Sequence, residues 1–216
     1  MDEKVAQVKR TLKPDHFKWA AFYLVAKRVS TQANFHTVYM TFLDKLGDKD
    51  LFEEVRYRTL FTVRNLLRSN DIVSSTTERS LLKNLGSWLG RLTLGKNQPL
   101  LHREVDLKGL LFDGYERGWL IAVVPFAAKV LDGSKQSWIF TSQNPWVMGL
   151  LKTLAELYHL ADLKLNLKFE IEVLCKSLSV DLKAIQPSNL LRTRRKPKFE
   201  SNPDFNMRVV ETPKRA

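Results

Sequence analysis

Apolar residues recur at helical spacing along most of the length of this chain. The clearest stripe lies in a helix predicted over residues 78–94. Its inward-facing positions are Leu81, Leu82, Leu85, Trp88, Leu89 and Leu92. Similar stripes, separated by proline, glycine and polar loops, predict an all-α protein of about ten antiparallel helices. Short connections between such helices favour stacked pairs, the arrangement of an α-solenoid.

The segment 163–178 allows two interpretations. Apolar and polar residues alternate from 163 to 171, which is typical of a strand. Leu167, Ile171 and Leu174, however, repeat at intervals of four and three residues, which is typical of a helix. A lone strand would have no partner in this chain, so we predict a helix from about Asn166 onward.

Two parts of the chain differ in composition. The apolar periodicity ends after Pro187, and residues 192–216 contain three prolines. The same 25 residues carry eight Lys or Arg and three Asp or Glu, and so +5 of the chain's net charge of +12. We therefore predict a helical domain over residues 1–191 and a basic flexible tail over residues 192–216.

The net charge restricts the class of partner without identifying it. A charge of +12 favours nucleic acid or acidic protein surfaces, although a solvated basic face would have the same composition. No run of about 18 apolar residues occurs, so we expect no membrane span. The first residues lack the pattern of a secretory signal, and the single cysteine, Cys175, cannot form an internal disulfide. We expect the protein inside the cell.

The sequence contains no arrangement of residues typical of catalysis. No two of the four histidines are four residues apart, and we predict no metal site, no cofactor and no catalytic residue. Residues 90–97 resemble a phosphate-binding loop, but they lack its final Ser or Thr and follow a helix rather than a strand. The spacing of Gly86 and Gly90 instead predicts that two helices approach closely. The chain is therefore not expected to be an enzyme.

One aromatic group is a candidate binding site. Phe35, His36 and Tyr39 begin a predicted helix close to Arg28 and Gln32. The aromatic residues can equally belong to the core. If Arg28 and His36 point outward, the group would anchor another protein, because Arg and Tyr are enriched among residues that dominate binding energy. A second basic contact, or alternatively a solvated ridge, would consist of Arg79 and Lys83.

Several runs resemble a known family. They include Asn-Pro-Trp at 144–146 and Leu-Lys-Leu-Asn-Leu-Lys-Phe at 163–169. Together they resemble the central HEAT domain of the Not-one scaffold, the largest subunit of the CCR–NOT deadenylase complex. This HEAT domain is similar to the middle domain of the translation initiation factor eIF-four-G. The resemblance covers residues 10–191 and weakens at 70–77, at 132–143 and in the tail. Its matching runs are 27–30, 34–44, 78–86, 144–146 and 162–174.

This resemblance implies a five-repeat HEAT solenoid that acts as a non-catalytic scaffold in mRNA deadenylation, decay, translational repression and RNA-mediated silencing. One surface would dock a Caf-one/Pop-two deadenylase, and another would dock a DEAD-box RNA helicase. The resemblance also implies that the protein is found in the cytoplasm, including P-bodies, and in the nucleus as a further location. The implied deadenylase contacts are Trp146 and Met148. The implied helicase contacts are Arg28, Gln32, Phe35, His36 and Tyr39, with Arg79 and Lys83 added. The alternative is a basic RNA-binding helical module.

Overall fold

A computed structural model describes residues 1–197 and 202–206. Within these residues the chain forms nine α-helices and no named strand, which confirms the predicted all-α class. Short 3-10 segments join several of the helices. The helices are α1 (Asp2–Thr11), α2 (Phe17–Tyr23), α3 (His36–Leu46), α4 (Lys49–Leu67), α5 (Thr76–Leu92), α6 (Leu107–Arg117), α7 (Leu120–Asp132), α8 (Pro145–Tyr158) and α9 (Leu165–Ser177).

Polar side chains define where several helices begin. The carboxylates of Asp48 and Asp106 accept hydrogen bonds from the backbone N–H groups three residues later, at 2.9 and 3.0 Å. The side chain of Asn144 accepts from the N–H of Trp146 at 3.0 Å, and Pro145 occupies the first helical position. These residues satisfy N–H groups that lack a partner within the helix.

The helices stack in the manner of a solenoid. Each helix packs on its neighbour in sequence or on the helix after it, as in the pairs α4–α5, α2–α4, α5–α7 and α7–α9. Helix α5 lies closest to α7 because both Gly86 and Gly90 face it. A Cβ atom on Gly86 would lie 2.8 Å from the carbonyl oxygen of Phe126. The close helix approach predicted from the glycine spacing is therefore correct.

The ambiguous segment is helical, as predicted. Helix α9 spans Leu165–Ser177 and buries Leu167, Ile171 and Leu174. Leu163, just before it, forms an isolated antiparallel bridge with Phe205. Extended backbone at Leu163 therefore does have a partner, 42 residues later in the chain.

Several residues of the predicted flexible tail contact the domain. The guanidinium carbon of Arg194 lies 4.3 Å from the ring centroid of Phe112. Asp204 and Phe205 are buried. The Asp204 carboxylate accepts hydrogen bonds from the first N–H groups of α7. Residues 198–201 and 207–216 of the predicted tail lie outside the described residues.

Candidate protein-binding surfaces

The described residues show no arrangement suited to metal or thiol chemistry. Across residues 1–197 and 202–206, no group of three or more His, Cys, Asp or Glu is placed to hold a metal ion. Over the same ranges, every helix is too short or too polar to cross a membrane. Burial raises the pKa of the Cys175 thiol to about 11, and because the thiolate is the reactive form, this side chain is an inert part of the core.

Four of the predicted helicase contacts lie together in the region where the π-helix that follows α2 ends and α3 begins. Helix α2 continues as a π-helix over Leu24–Val29, which places Arg28 beside Tyr23. The Arg28 guanidinium donates a 2.5 Å hydrogen bond to the Tyr23 hydroxyl and lies 5.1 Å from the ring centroid. The Tyr39 hydroxyl donates to the side-chain oxygen of Gln32.

Phe35 completes this group. Its side chain is 52% exposed, and its ring centroid lies 6.3 Å from that of Tyr39. The solvent-exposed ring of Phe35 offers apolar area to a partner. Because Tyr39 beside it is already held in position, binding would cost little side-chain conformational entropy. We call this group, which consists of Arg28, Gln32, Phe35 and Tyr39, the α3 surface.

His36 does not point outward, which was the condition for it to anchor a partner directly. Its side chain is 1% exposed and faces α5, where its ring centroid lies 5.4 Å from that of Trp88. Its Nε2 atom lies 2.8 Å from the carbonyl oxygen of Val29. Burial lowers the pKa of the imidazole, which favours the neutral form. His36 therefore supports the α3 surface from inside and does not belong to it.

Arg79 and Lys83 direct their charges to other parts of the protein. The Arg79 guanidinium donates to the carbonyl oxygen of Val73 in the connection between α4 and α5. Lys83 forms an ion pair with Glu170 on α9. Both side chains remain half-exposed, but these contacts tie α5 to its neighbours rather than to the α3 surface.

A groove that we did not predict from the sequence lies next to the α3 surface. It has a volume of about 730 Å³ between α1, α2, α3 and the first half of α4, and its walls are mainly apolar. Trp19 and Tyr23 stack along one wall with ring centroids 5.7 Å apart, and Tyr39 belongs to both the groove and the α3 surface. The aromatic pair at a spacing of four residues was the available signal, but spacing alone does not show whether such a pair is exposed.

The predicted deadenylase contacts differ in exposure. Trp146 is partly exposed at the first turn of α8, where its ring meets that of Phe140 edge to face at 6.3 Å. Met148 is half-buried and packs against the core. Trp146 is therefore available to a partner, and Met148 mainly supports α8.

The loop between α7 and α8 adds two side chains that we did not predict. Trp138 is 80% exposed, and Ile139 beside it is also exposed. The side-chain oxygen of Asn97 accepts hydrogen bonds from the Ser137 hydroxyl at 2.8 Å and from the N–H of Trp138 at 3.0 Å, which fixes the loop to the end of α5. We call Trp138, Ile139, Phe140 and Trp146 the aromatic loop cluster. Its signal in the sequence was the run Trp-Ile-Phe between polar residues.

A third surface, on α2 and α4, alternates aromatic and basic groups. The guanidinium carbon of Arg58 lies 5.5 Å from the ring centroids of both Phe22 and Phe61. Tyr57 stacks against Phe61 at 6.4 Å, and all three aromatic residues are exposed. We call these four residues the α2–α4 face. Such interleaving is the feature that favours the alternative of RNA binding.

Comparison with known proteins settles the family. A profile described as the CAF1-binding domain of CCR4-NOT transcription complex subunit 1 matches residues 1–201. The chain belongs to this family. It is therefore a member of a scaffold-subunit family and not an enzyme.

Relatives of this CAF1-binding domain occur in distant eukaryotes. The chain is 44% identical over 191 residues to the general negative regulator of transcription subunit 1 of Schizosaccharomyces pombe, covering 88% of this chain and 9% of that protein. It is 43% identical over 183 residues to the CCR4-NOT transcription complex subunit let-711 of Caenorhabditis elegans, covering 82% of this chain and 7% of that protein. The chain thus spans less than a tenth of the length of these curated relatives.

Proposed function

We propose that this chain is a non-catalytic scaffold domain that docks a Caf-one/Pop-two poly(A) deadenylase and a DEAD-box RNA helicase. It would act in mRNA deadenylation, decay and translational repression, in the cytoplasm including P-bodies and also in the nucleus. The observation that carries the proposal is the match to a CAF1-binding family across residues 1–201. The separate exposed aromatic groups support it, because two partners require two surfaces.

The aromatic loop cluster is our candidate for the deadenylase surface. Trp138 exposes most of a large apolar ring to water, and its backbone is held by Asn97 before any partner binds. Burial of such a ring by a partner is favourable, and little loop ordering is left to oppose it. Trp146 lies in the same cluster through Phe140, so a single partner can cover both tryptophans.

We expect the double substitution Trp138→Ala and Trp146→Ala to weaken deadenylase binding by about 30-fold or more, since tryptophan is the residue most enriched among binding hot spots. Isothermal titration calorimetry with the purified deadenylase measures this change. Trp19→Ala, which removes another exposed tryptophan from a different surface, is the matched control and should leave the affinity unchanged. Equal deadenylase affinity in the wild type and the double variant would exclude this surface.

The α3 surface is our candidate for the helicase. It combines a guanidinium, which Tyr23 holds in position, with an amide and two aromatic rings that contact one another within the group. The adjoining groove extends the apolar area available to the same partner. Arg79 and Lys83 contribute less than expected from the sequence, because Arg79 is hydrogen-bonded within the domain and Lys83 is ion-paired.

The physical effect of such a scaffold is a raised local concentration. Two partners held on one support meet at an effective concentration that reaches the millimolar range for short spans. The support can also bias the relative orientation of the two helicase lobes, provided that it binds one orientation more tightly. Helicase ATP turnover with and without this domain tests the second effect, and unchanged turnover would exclude it.

RNA binding through the α2–α4 face is the second candidate function. It is favoured by the position of Arg58 between Phe22 and Phe61. Aromatic rings stack on nucleic-acid bases, and a guanidinium group can stack on a base or on an aromatic ring. On this candidate the affinity for single-stranded RNA falls with salt by about 0.7 log units per log unit for each phosphate contacted. It also falls severalfold in the variant Phe22→Ala with Phe61→Ala. Fluorescence anisotropy with labelled oligo(A) measures both, and RNA affinity that depends on neither salt nor these rings would contradict it.

A further inference from the structure

Residues 202–206, with the sequence Asn-Pro-Asp-Phe-Asn, lie against the start of α7 and the connection between α8 and α9. We call them the C-terminal strap. The Asp204 carboxylate is 0% exposed and accepts hydrogen bonds from the N–H groups of Leu120 at 2.8 Å and Ile121 at 2.7 Å. These N–H groups begin a helix and have no partner within it, so the strap supplies the missing acceptor.

The backbone of the strap pairs with the chain ahead of α9. The N–H of Lys164 donates to the carbonyl oxygen of Asp204 at 2.9 Å, and the N–H of Asn206 donates to that of Asp162 at 2.9 Å. Phe205, 4% exposed, lies opposite Leu163 in the antiparallel bridge. This combination of backbone pairing and a buried side chain is how extended peptides are recognised by other proteins.

The first residues of the strap form a turn that suits this site. The side-chain oxygen of Asn202 accepts a hydrogen bond from the N–H of Asp204 at 2.9 Å. The amide of Asn202 lies close to Gly118, whose φ of +82° ends α6; a Cβ there would lie 3.0 Å from the Asn202 nitrogen. Gly118 therefore provides both the turn into α7 and the space that the strap needs.

We propose that the start of α7 and the α8–α9 connection form a peptide-docking site for an acidic–aromatic segment, which the chain fills with its own strap and which the same segment can enter from a separate molecule. The required chemistry is specific. A carboxylate must meet two N–H groups, an aromatic ring must enter the apolar space beside Leu163, and the backbone between them must be extended. This site is independent of the surfaces proposed for the deadenylase and the helicase.

Competition by the attached strap must be removed to test the site. An attached segment acts at an effective concentration in the millimolar range, so a free peptide competes poorly with it. The test therefore uses the full chain carrying Asp204→Ala and Phe205→Ala, with circular dichroism confirming that it stays helical. The probe is a fluorescent peptide of residues 201–206. We expect it to bind this variant at least tenfold more tightly than it binds the wild-type chain.

Altered peptides establish which groups are read. The peptide with Asp204→Ala and the peptide with Phe205→Ala should each bind the variant chain at least tenfold more weakly than the original peptide. Loss of the strap should also speed hydrogen exchange at Leu120 and Ile121, whose N–H groups lose their acceptor. Unchanged exchange there, no binding to the variant chain, or equal binding of the altered peptides would overturn the proposal.

The pH dependence provides an additional readout. Burial raises the pKa of Asp204 to about 6, although the hydrogen bonds from the N–H groups of Ile121 and Leu120 and the positive charge of Lys164 each act to lower this pKa. The bound pKa lies above 3.8, the ordinary value for an aspartate, so docking takes up a proton and strengthens as the pH falls through 6. Peptide affinity should therefore rise about fourfold between pH 7.5 and 5.5. The Asp204→Asn peptide, which does not titrate, should show no such rise, and an equal rise would contradict the role of this carboxylate.

Discussion

Replacement of Gly90 by alanine is expected to destabilise the domain by about 3 kcal/mol, the upper range for overpacking a well-packed core. A Cβ atom at this position would lie 2.3 Å from the carbonyl oxygen of Val130 and 3.1 Å from its Cα. These are backbone atoms of α7 that cannot rotate away as a side chain could, so α5 and α7 would have to separate. Urea denaturation measures the loss, and the melting temperature should fall by about 6–12 °C for a domain of this size.

The same substitution at Gly149 is the matched control. Gly149 lies in α8, and a Cβ atom there would meet nothing within 4 Å. Alanine is preferred to glycine inside a helix by up to about 1 kcal/mol, so Gly149→Ala should stabilise the domain slightly. If Gly90→Ala also left the free energy of unfolding unchanged or higher, the close contact between α5 and α7 would be wrong.

Helicase binding is expected to fall at least about 100-fold in the double variant Arg28→Ala and Phe35→Asp, whereas deadenylase binding should remain. Phe35 is exposed, so aspartate there places a charge in the proposed interface without burying it in the core. Arg28→Ala removes a guanidinium that Tyr23 already holds in position. Pull-down of each purified partner, followed by titration calorimetry, measures the two affinities separately.

The control places the same kind of change on another helix. Phe169 on α9 is also exposed, and Lys176 lies on the same helix. The variant Phe169→Asp with Lys176→Ala should retain helicase binding. Retained binding in the Arg28 and Phe35 variant would show that the helicase uses another surface. His36 is unsuitable for this test, because its substitution would remove buried contacts with Val29 and Trp88.

Prediction from the sequence succeeded where a pattern repeats within one element. The stripe that includes Leu82, Leu85 and Leu89 identified α5, because an apolar residue every three or four positions has one stable arrangement, a helix with one face buried. The same periodicity chose helix over strand for α9. The spacing of Gly86 and Gly90 predicted close packing, because only glycine allows a helix backbone to approach so near.

The sequence identified residues with binding chemistry less reliably than helices. It singled out Phe35 and Trp146, which are exposed, and His36, which is not. Trp138 was missed because its exposure depends on Asn97, about 40 residues earlier, which holds the loop. Exposure is a property of packing between elements, and adjacent residues of a helix point about 100° apart, so that one can face water while the next faces the core.

Local periodicity and residue identity are sufficient to predict the helical class, the positions of most helices and the family resemblance. Which aromatic side chains face water, and the docking of Asp204 and Phe205 on the domain, depend on how the helices pack. The N–H groups that donate to the Asp204 carboxylate lie more than 80 residues away at the start of α7. Contacts between residues so far apart are set by how the helices stack. The segment around Asp204, which lies in a stretch with three prolines, shows no local pattern that predicts these contacts.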